Sequence, residues 1–269
     1  MRHHIQIPLQ NCVVMSDIHG RYDLLTTLLE QVKNDETLIF LGDYCDRGRD
    51  SFETLYTVKR LVENGKAYAV IGNHDQMFLD FLDEPEEQAF FYFNQGGRET
   101  IESFYADQGL GFTASMRYTP QRIASEILTQ HAELISFLRH LPVTIEMDDF
   151  LFVHAGVKPY SPDWKHTTSE NDYMWIRQEF YLQKNETGKR VLFGHTSAHH
   201  LPEHTTPIWV NRTGNAFGID GGAGGSGCLN GVRIQRGEIV EIIKALHQGC
   251  AMSLPFKIDK KGESKHELF

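Results

Sequence analysis

Five short polar motifs stand where apolar, strand-like runs of the sequence end, and they hold residue types that bind metals and phosphate. The segment 42–48 follows the apolar run 38–41 and places Asp43, Asp46 and Arg47 within five positions. Alone, it could be an acidic surface turn with a paired arginine. The other four motifs lie at 16–20, 72–75, 154–156 and 194–196. Because ligands of α/β proteins bind beyond the carboxyl ends of strands, the five motifs together predict one polar site.

The motifs contain oxygen and nitrogen donors of the kind that bind metals. These donors are Asp17, His19, Asp43, Asn73, His154 and His195. Carboxylate and imidazole ligands suit Mn, Fe or Zn, and no thiolate is needed. A single ion would not need six ligands of which one is a carboxylate flanked by donors on both sides, whereas two ions bridged by one aspartate would. Two-metal hydrolytic sites clamp phosphoryl oxygens and activate a water for in-line attack, so the donor set predicts a two-metal site.

The chain has 14 histidines, so several must lie outside any site. His199 and His200 stay open: His199 comes four residues after His195 and could face the same metal in a helix, but Pro202 favours a turn. The glycine-rich segment 222–227 matches the spacing of a dinucleotide-binding loop. Because a strand rather than a helix is predicted after it, we expect a flexible hairpin near the site.

Hydrophobic periodicity predicts the elements that position these motifs. Residues 12–75 show three strand-like runs, each followed by a polar turn and a helical pattern, which is typical of a parallel sheet with right-handed crossovers. The stretch 76–141 has helical periodicity interrupted by glycine and proline, and we interpret it as a helical insertion beside the site, with its aromatic cluster at 90–93 expected in the core. A helix is predicted over 170–183, and further strands follow the insertion. We expect one α/β domain over 1–269 with a flexible tail at 253–269.

Composition narrows the class of protein. With 269 residues, 41% of them hydrophobic, the chain can bury a sizeable core. A formal net charge of -10 gives no basic footprint for nucleic-acid binding. The N-terminus lacks the apolar core of a signal peptide, and no apolar run is long enough to span a membrane, so a cytoplasmic protein is expected. The four cysteines have no paired spacing, which favours reduced thiols.

The motifs SDIHG, GDYCDRG, GNHD, HAG and GHT, in this order, resemble those of the phosphoprotein phosphatase family of calcineurin-like metallophosphoesterases. Segments 94–105 and 175–180 are similar to the bacterial branch, which holds serine/threonine protein phosphatases and diadenosine tetraphosphate hydrolases. The resemblance implies an α/β fold in four layers, with two central sheets flanked by helices. Ser16, Cys45 and Asp75 depart from the usual family pattern without removing a ligand.

The resemblance also implies a role for each polar residue. The implied ligands are Asp17, His19 and Asp43 for one metal, and Asp43, Asn73, His154 and His195 for the other. Arg47 and Arg177 would bind phosphate oxygens as planar forks. His74 would protonate the leaving oxygen and would be oriented by Asp46, whose charge we expect to raise the pKa of the imidazole.

The activity implied by the resemblance is metal-dependent hydrolysis of phosphate monoesters by direct attack of a metal-bridging hydroxide. Two divalent ions are expected, Mn²⁺ first, with Fe, Zn or Co as alternatives. A serine/threonine phosphoprotein is the expected substrate and a dinucleoside polyphosphate the alternative, with the 76–141 helices expected to decide between them. A non-catalytic phosphate-binding module is a remote third interpretation, because every expected ligand is present. A monomer is expected.

Overall fold

The structure is a computed structural model, and it describes residues 2–106, 114–160, 162–203, 207–258 and 264–265. Within these residues the strands are β1 His4–Ile7, β2 Cys12–Met15, β3 Thr37–Phe40, β4 Ala67–Ala69, β5 Thr144–Met147, β6 Phe150–Val153, β7 Arg190–Phe193, β8 Trp209–Val210, β9 Ala216–Gly218, β10 Leu229–Gln235, β11 Glu238–Leu246, β12 Cys250–Pro255, β13 Lys257–Ile258 and β14 Ser264–Lys265. The α-helices are α1 Tyr22–Leu29, α2 Ser51–Glu63, α3 Asn73–Asp83, α4 Pro85–Tyr92, α5 Arg98–Phe104, α6 Ala114–Arg117, α7 Pro120–Gln130, α8 Ala132–Arg139, α9 Trp164–Thr167, α10 Glu170–Trp175 and α11 Gln178–Tyr181.

Two six-stranded sheets of mixed strand direction form the centre of the fold. The first has the order β12-β11-β10-β2-β3-β4, in which β2, β3 and β4 run parallel. The second has the order β1-β5-β6-β7-β9-β8, in which β6, β7 and β9 run parallel. The three predicted strand–helix units are present as β2–α1, β3–α2 and β4–α3.

The alternation of side chains along β2 shows how the layers pack. Val14 belongs to an apolar cluster that it shares with Ile145 of the second sheet. Its neighbour Val13 belongs to another cluster, which contains helix residues such as Leu25. Because successive side chains of a strand point to opposite faces, each sheet packs on the other sheet with one face and on helices with the other. This arrangement is the predicted α/β sandwich of two central sheets flanked by helices.

Helices α3 to α8 occupy the stretch that was predicted to be a helical insertion. The aromatic cluster at 90–93, predicted to be core, is divided: Tyr92 is fully buried, whereas Phe90 is 83% exposed. In the described part of the chain, every helix is too short or too polar to cross a bilayer.

Three details differ from the sequence-based expectations. Strand β1, which pairs in parallel with β5, was not predicted, because its half-exposed edge position leaves no continuous apolar run. The helix predicted over 170–183 is interrupted at Arg177, whose φ of -130° and ψ of -104° are not helical. Residues 253–255 belong to β12 and pair with β11, so the predicted flexible tail does not begin there. The remainder of that tail lies largely outside the described residues.

Candidate metal centre

All six predicted metal ligands lie just beyond the ends of strands. Asp17 and His19 follow β2, Asp43 follows β3, Asn73 follows β4, His154 follows β6 and His195 follows β7. Contacts between the two sheets bring them together: the His154 ring bonds through Nδ1 to the Leu41 carbonyl at 2.8 Å, and the backbone N–H of His195 donates to the Asp17 carboxylate at 3.0 Å. The strand ends of both sheets therefore meet in one polar cluster, as the sequence predicts.

The Asp43 carboxylate lies between two groups of donors and offers one oxygen to each. Its Oδ2 is 3.5 Å from Nε2 of His19, and its Oδ1 is 3.4 Å from Nε2 of His154. On the second side, Oδ1 of Asn73 is 2.9 Å from Nε2 of His154 and 2.8 Å from Nδ1 of His195. Among the described residues, potential ligand atoms within 4.8 Å of one another form the groups His19, Asp43, His74 and Asp43, His154, His195. Asp43 is thus positioned to be a shared ligand.

Asp17 lies beside these groups. Its carboxylate accepts the backbone N–H of His195 at 3.0 and 3.1 Å, and the hydroxyl of Ser16 donates to Oδ2. Burial raises the pKa of Asp17 well above its usual range, and the neighbouring carboxylate of Asp220 raises it further. A nearby cation would offset this concentration of negative charge.

Hydrogen bonds to backbone carbonyls fix the tautomers of two histidines. Nδ1 of His19 donates to the Cys45 carbonyl and Nδ1 of His154 donates to the Leu41 carbonyl, each at 2.8 Å. Since a carbonyl only accepts, each neutral ring carries its proton on Nδ1 and turns the lone pair of Nε2 into the cluster. Nε2 of His154 therefore meets Oδ1 of Asn73 at 2.9 Å, acceptor against acceptor. A cation between them makes this contact favourable, so the donors fit a metal ion.

The pKa shifts of the candidate ligands also fit a metal ion. Burial, reinforced by Asp75, raises the pKa of Asp43 well above its usual range. Burial and the neighbouring His74 lower the pKa of His19 well below its usual range, and burial also lowers that of His195. Divalent ions would stabilise ionised carboxylates and neutral imidazoles at these positions, which are the forms that bind metals.

Left-handed backbone conformations are concentrated in the site. Nine described residues other than glycine have positive φ, and six of them, with φ between 49° and 71°, are Asp17, His19, Asp43, Asp46, Arg47 and His195. Each such residue costs about 1–2 kcal/mol relative to right-handed backbone. Hydrogen bonds between the loops maintain these conformations: the N–H groups of Asp17 and His19 donate to the carbonyls of Gly42 and Asp43 at 3.1 and 2.9 Å. Strain that the surroundings hold in place is typical of functional sites.

Asp75 connects the loops that carry Asp43 and Asn73 through hydrogen bonds. Its buried carboxylate accepts the backbone N–H groups of Asp43 at 2.8 Å, Tyr44 at 2.9 Å and Gly72 at 2.9 Å. A Cβ atom at Gly72 would collide with Oδ1 of Asp43, so glycine permits this close approach. The aspartate therefore fixes the spacing between the shared ligand and the ligands of the second group.

Arg47, His74 and Asp46 form a chain of contacts next to His19. Arg47 donates from Nη1 to Nε2 of His19 at 3.0 Å and from Nη2 to Nε2 of His74 at 2.8 Å. On the other side of its ring, Nδ1 of His74 lies 2.7 Å from Oδ2 of Asp46. The pairing of His74 with Asp46 that the resemblance implies is therefore present.

The protonation of this pair differs from the sequence-based expectation. Burial, together with the charge of Arg47, lowers the pKa of His74 to about 2, and burial raises the pKa of Asp46 to about 7. The expectation that Asp46 raises the pKa of the imidazole is wrong for this arrangement, because a guanidinium lies against Nε2 and desolvation opposes the charged ring.

Arg177 lies on the opposite side of the cluster, at the break between α10 and α11. Its Nη1 donates to Oγ1 of Thr196 at 2.8 Å and to the carbonyl of His195 at 3.4 Å. The interrupted helix thus places this guanidinium beside a ligand of the second group. His199 and His200 are exposed in the 3-10 turn 198–200 and belong to neither group of potential ligands among the described residues.

Two further features of the site were missed or only partly predicted. Asp220 is buried just beyond β9, accepts the N–H of Gly222 at 2.7 Å, and adds negative charge next to Asp17. It follows a strand end as the candidate ligands do, so the sequence did contain a signal. The glycine-rich hairpin lies at the site as expected: a Cβ at Gly224 would be 2.8 Å from the ring of His19 and 2.9 Å from Cδ of Arg47.

The chain is similar in sequence to known phosphatases. Serine/threonine-protein phosphatase 2 of Salmonella typhimurium is 27% identical over 211 residues, which cover 74% of this chain and 85% of that protein. The symmetrical bis(5'-nucleosyl)-tetraphosphatase of Ralstonia nicotianae is 35% identical over 145 residues, which cover 54% of this chain. This match spans 41% of the Ralstonia protein, so the chain matches less than half the length of that relative.

The fold is also found among solved structures. A crystal structure provisionally named a diadenosine tetraphosphatase superimposes with a TM-score of 0.59 at 20% identity, covering 95% of this chain and 98% of the other. At the level of the family, the model described as calcineurin-like phosphoesterase matches residues 11–218. Since that match takes in most of the chain and both halves of the metal centre, the chain belongs to the calcineurin-like phosphoesterases, which are metal-dependent hydrolases of phosphoester bonds.

Proposed function

We propose that this protein hydrolyses phosphate monoesters and acts on serine/threonine phosphoproteins. The observation that carries the proposal is the position of Asp43, with one carboxylate oxygen toward each group of ligands and with Arg47 and His74 alongside. A carboxylate shared by two sets of oxygen and nitrogen donors suits two divalent ions.

The proposed ligands are Asp17, His19 and Asp43 for one ion and Asp43, Asn73, His154 and His195 for the other. Two such ions, when bound, polarise phosphoryl oxygens and lower the pKa of water so that it can attack phosphorus. We propose Mn²⁺ as the native metal. These donors accept several divalent ions, so the availability of the ions decides which one binds. Metal analysis of protein purified without added ions tests this assignment, and another ion in stoichiometric amount would replace it.

Arg47 and Arg177 bind the phosphate oxygens in this proposal. The partners of Arg47 are two imidazole nitrogens, at 3.0 and 2.8 Å. A phosphate oxygen is a stronger acceptor for a guanidinium than a neutral ring, so a bound phosphate draws Arg47 away from His74. Arg177 keeps its direction through the hydrogen bond to Oγ1 of Thr196 and approaches the phosphate from the side of the second ligand group.

His74 supplies the proton to the leaving oxygen. Asp46 accepts from Nδ1 at 2.7 Å and so directs Nε2 toward the place that Arg47 occupies. When Arg47 pairs with phosphate, Nε2 is free to hold a proton, and the negative charge of the phosphate favours the protonated ring. Proton donation at Nε2 is thereby linked to substrate binding.

The first choice of substrate rests on the Salmonella relative named as a serine/threonine phosphatase, because the match covers 85% of its length. Dinucleoside polyphosphates are the second candidate, since the relative named as a symmetrical tetraphosphatase is 35% identical to this chain. That match covers only 41% of the relative, which is why the phosphoprotein is preferred.

Parallel assays with Mn²⁺, one with a phosphoserine peptide and one with diadenosine tetraphosphate, test the choice. A preference of about a hundredfold in kcat/KM, equal to about 2.7 kcal/mol of transition-state binding, decides it. Asp43→Asn is the control for each assay, because contaminating activity would survive this substitution. Failure to hydrolyse p-nitrophenyl phosphate with Mn²⁺, Fe²⁺, Co²⁺ or Zn²⁺ would contradict the hydrolase proposal and favour a phosphate-binding module.

A further inference from the structure

The side chain of Asp46 is held from two directions. Oδ2 lies 2.7 Å from Nδ1 of His74, whereas Oδ1 accepts the hydroxyl of Tyr92 at 2.8 Å and that of Thr100 at 2.6 Å. Asp46, Tyr92 and Thr100 are all 0% exposed. A buried carboxylate needs such donors, and their geometry fixes the direction in which its second oxygen points.

Thr100 holds the backbone of Asp46 as well as its side chain. Its Oγ1 donates to Oδ1 of Asp46 at 2.6 Å and accepts the N–H of the same residue at 2.8 Å. Asp46 has a left-handed φ of 71°, which is less favourable than right-handed backbone. A single hydroxyl therefore stabilises both an unusual backbone conformation and the carboxylate orientation that depends on it.

Tyr92 reaches Asp46 from a rigid aromatic stack. Its ring lies 5.1 Å from the ring of Phe81 and 6.1 Å from that of Phe78, both in stacked orientation. A Cβ at Gly97 would come within 2.5 Å of the same ring, so the chain passes close to it. These close neighbours restrict the ring and so fix where Tyr92 presents its hydroxyl.

Both hydroxyls belong to the helical segment that lies between β4 and β5 in the chain. Tyr92 ends α4, Thr100 lies in α5, and the wide turn 93–97 between these helices bends at Gly96, with φ of 100°. The carbonyl of Gly96 accepts the N–H of Arg47 at 3.0 Å, so this segment also holds the residue next to Asp46.

We propose that Tyr92 and Thr100 are positioning residues for the acid step, and that α4 and α5 hold Asp46 so that His74 directs Nε2 at the leaving oxygen. This inference rests on the proposed function, in which His74 protonates that oxygen. Neither hydroxyl touches substrate, and both act through Asp46.

The inference predicts a selective effect because general acids matter most for poor leaving groups. A phenol, with a pKa of about 10, needs protonation as it leaves, whereas p-nitrophenolate is a stable anion and leaves without it. General acid catalysis contributes about 10²–10⁴-fold, so misplacing the acid should lower turnover of phenyl phosphate about tenfold or more. Turnover of p-nitrophenyl phosphate should change less than about threefold, since its departure does not use the proton.

The test measures kcat for phenyl phosphate and for p-nitrophenyl phosphate with the Mn²⁺-loaded full chain. The variants are Tyr92→Phe, Thr100→Val and Thr100→Ser, with His74→Asn as the reference for loss of the acid. The main readout is kcat for phenyl phosphate divided by kcat for p-nitrophenyl phosphate. This ratio does not depend on the fraction of folded enzyme. Tyr105→Phe is the matched control, since the hydroxyl of Tyr105 bonds to Glu126 at 2.7 Å and not to Asp46.

We expect Tyr92→Phe and Thr100→Val to lower the ratio toward that of His74→Asn, with Thr100→Ser and Tyr105→Phe close to wild type. An unchanged ratio in Tyr92→Phe and Thr100→Val, whether total activity falls or not, would assign the two hydroxyls a purely structural role and overturn the inference. Wild-type protein inactive toward both esters would overturn the proposed function itself, and that result is distinct from an unchanged ratio in active variants.

Discussion

Replacing Asp43 by asparagine separates the contribution of this residue to metal binding from its effect on the stability of the fold. The amide is nearly the same shape and keeps an oxygen for the backbone N–H of His74, which donates to Oδ1 of Asp43 at 2.9 Å. The substitution removes the negative charge that faces both ligand groups. We therefore expect it to weaken both metal sites at once while the loops remain in place.

The substitution should lower the activity of the enzyme but raise the stability of the metal-free protein. Metal ions supply several kcal/mol of transition-state stabilisation, and a loss of about 4 kcal/mol lowers kcat/KM about a thousandfold. Burial raises the pKa of Asp43 in the folded protein, so above the unfolded pKa the ionised carboxylate destabilises the metal-free fold. A neutral amide avoids this cost. At pH 7, metal-free Asp43→Asn should therefore unfold at a higher temperature than metal-free wild type.

Three measurements check this pair of effects: kcat/KM for p-nitrophenyl phosphate with excess Mn²⁺, the metal content after dialysis, and thermal unfolding in EDTA. Asp148→Asn is the matched control, because Asp148 is exposed, has a left-handed φ of 55°, and precedes β6 at the end opposite His154. Full activity of the Asp43→Asn protein would refute the shared ligand. A lower unfolding temperature than wild type in EDTA would refute the electrostatic argument.

Three further outcomes are expected. Arg177→Lys keeps the charge but loses the planar fork that donates to Thr196, so kcat/KM should fall about 10- to 100-fold with metal content unchanged; an unaltered rate would remove Arg177 from the site. Gly224→Ala places a Cβ 2.8 Å from the ring of His19 and 2.9 Å from Cδ of Arg47, so KM should rise, and an unchanged KM would show that the hairpin yields freely. Chelation by EDTA should lower the unfolding temperature, because ions at a hundred times Kd stabilise the fold by about 2.7 kcal/mol; equal unfolding temperatures with and without Mn²⁺ would argue against bound ions.

The sequence brought out the candidate metal ligands because each of them follows an apolar run, and a strand end is a local feature. Asp220 follows β9 in the same way but was not among the predicted site residues. The pattern alone was sufficient to find it. What the sequence lacks is the pairing of β9 with β7, which brings this carboxylate beside Asp17.

Features that depend on distant contacts could not be predicted. The periodicity around Arg177 suits a continuous helix, and the interruption is accompanied by hydrogen bonds to His195 and Thr196 on another strand end. Tyr92 was correctly expected in the core as an aromatic residue, but the partner of its hydroxyl lies 46 positions earlier in the chain. Residue type was sufficient to predict that a side chain is buried. The hydrogen-bond partner of a buried polar group, in contrast, depends on the folded chain.

The candidate ligands are divided between the strand ends of two sheets. This division explains how the site tolerates left-handed backbone conformations and buried carboxylates. The first sheet leads into Asp17, His19, Asp43 and Asn73, and the second leads into His154 and His195. The spacing between the two sets is fixed by the fully buried apolar cluster between the sheets, to which Val14 and Phe152 belong. In the proposed metal centre a shared ligand and its ions would touch both sets, so the free energy of metal binding would act on both sheets at once. Metal binding would then offset the cost of the left-handed residues and buried carboxylates at this edge.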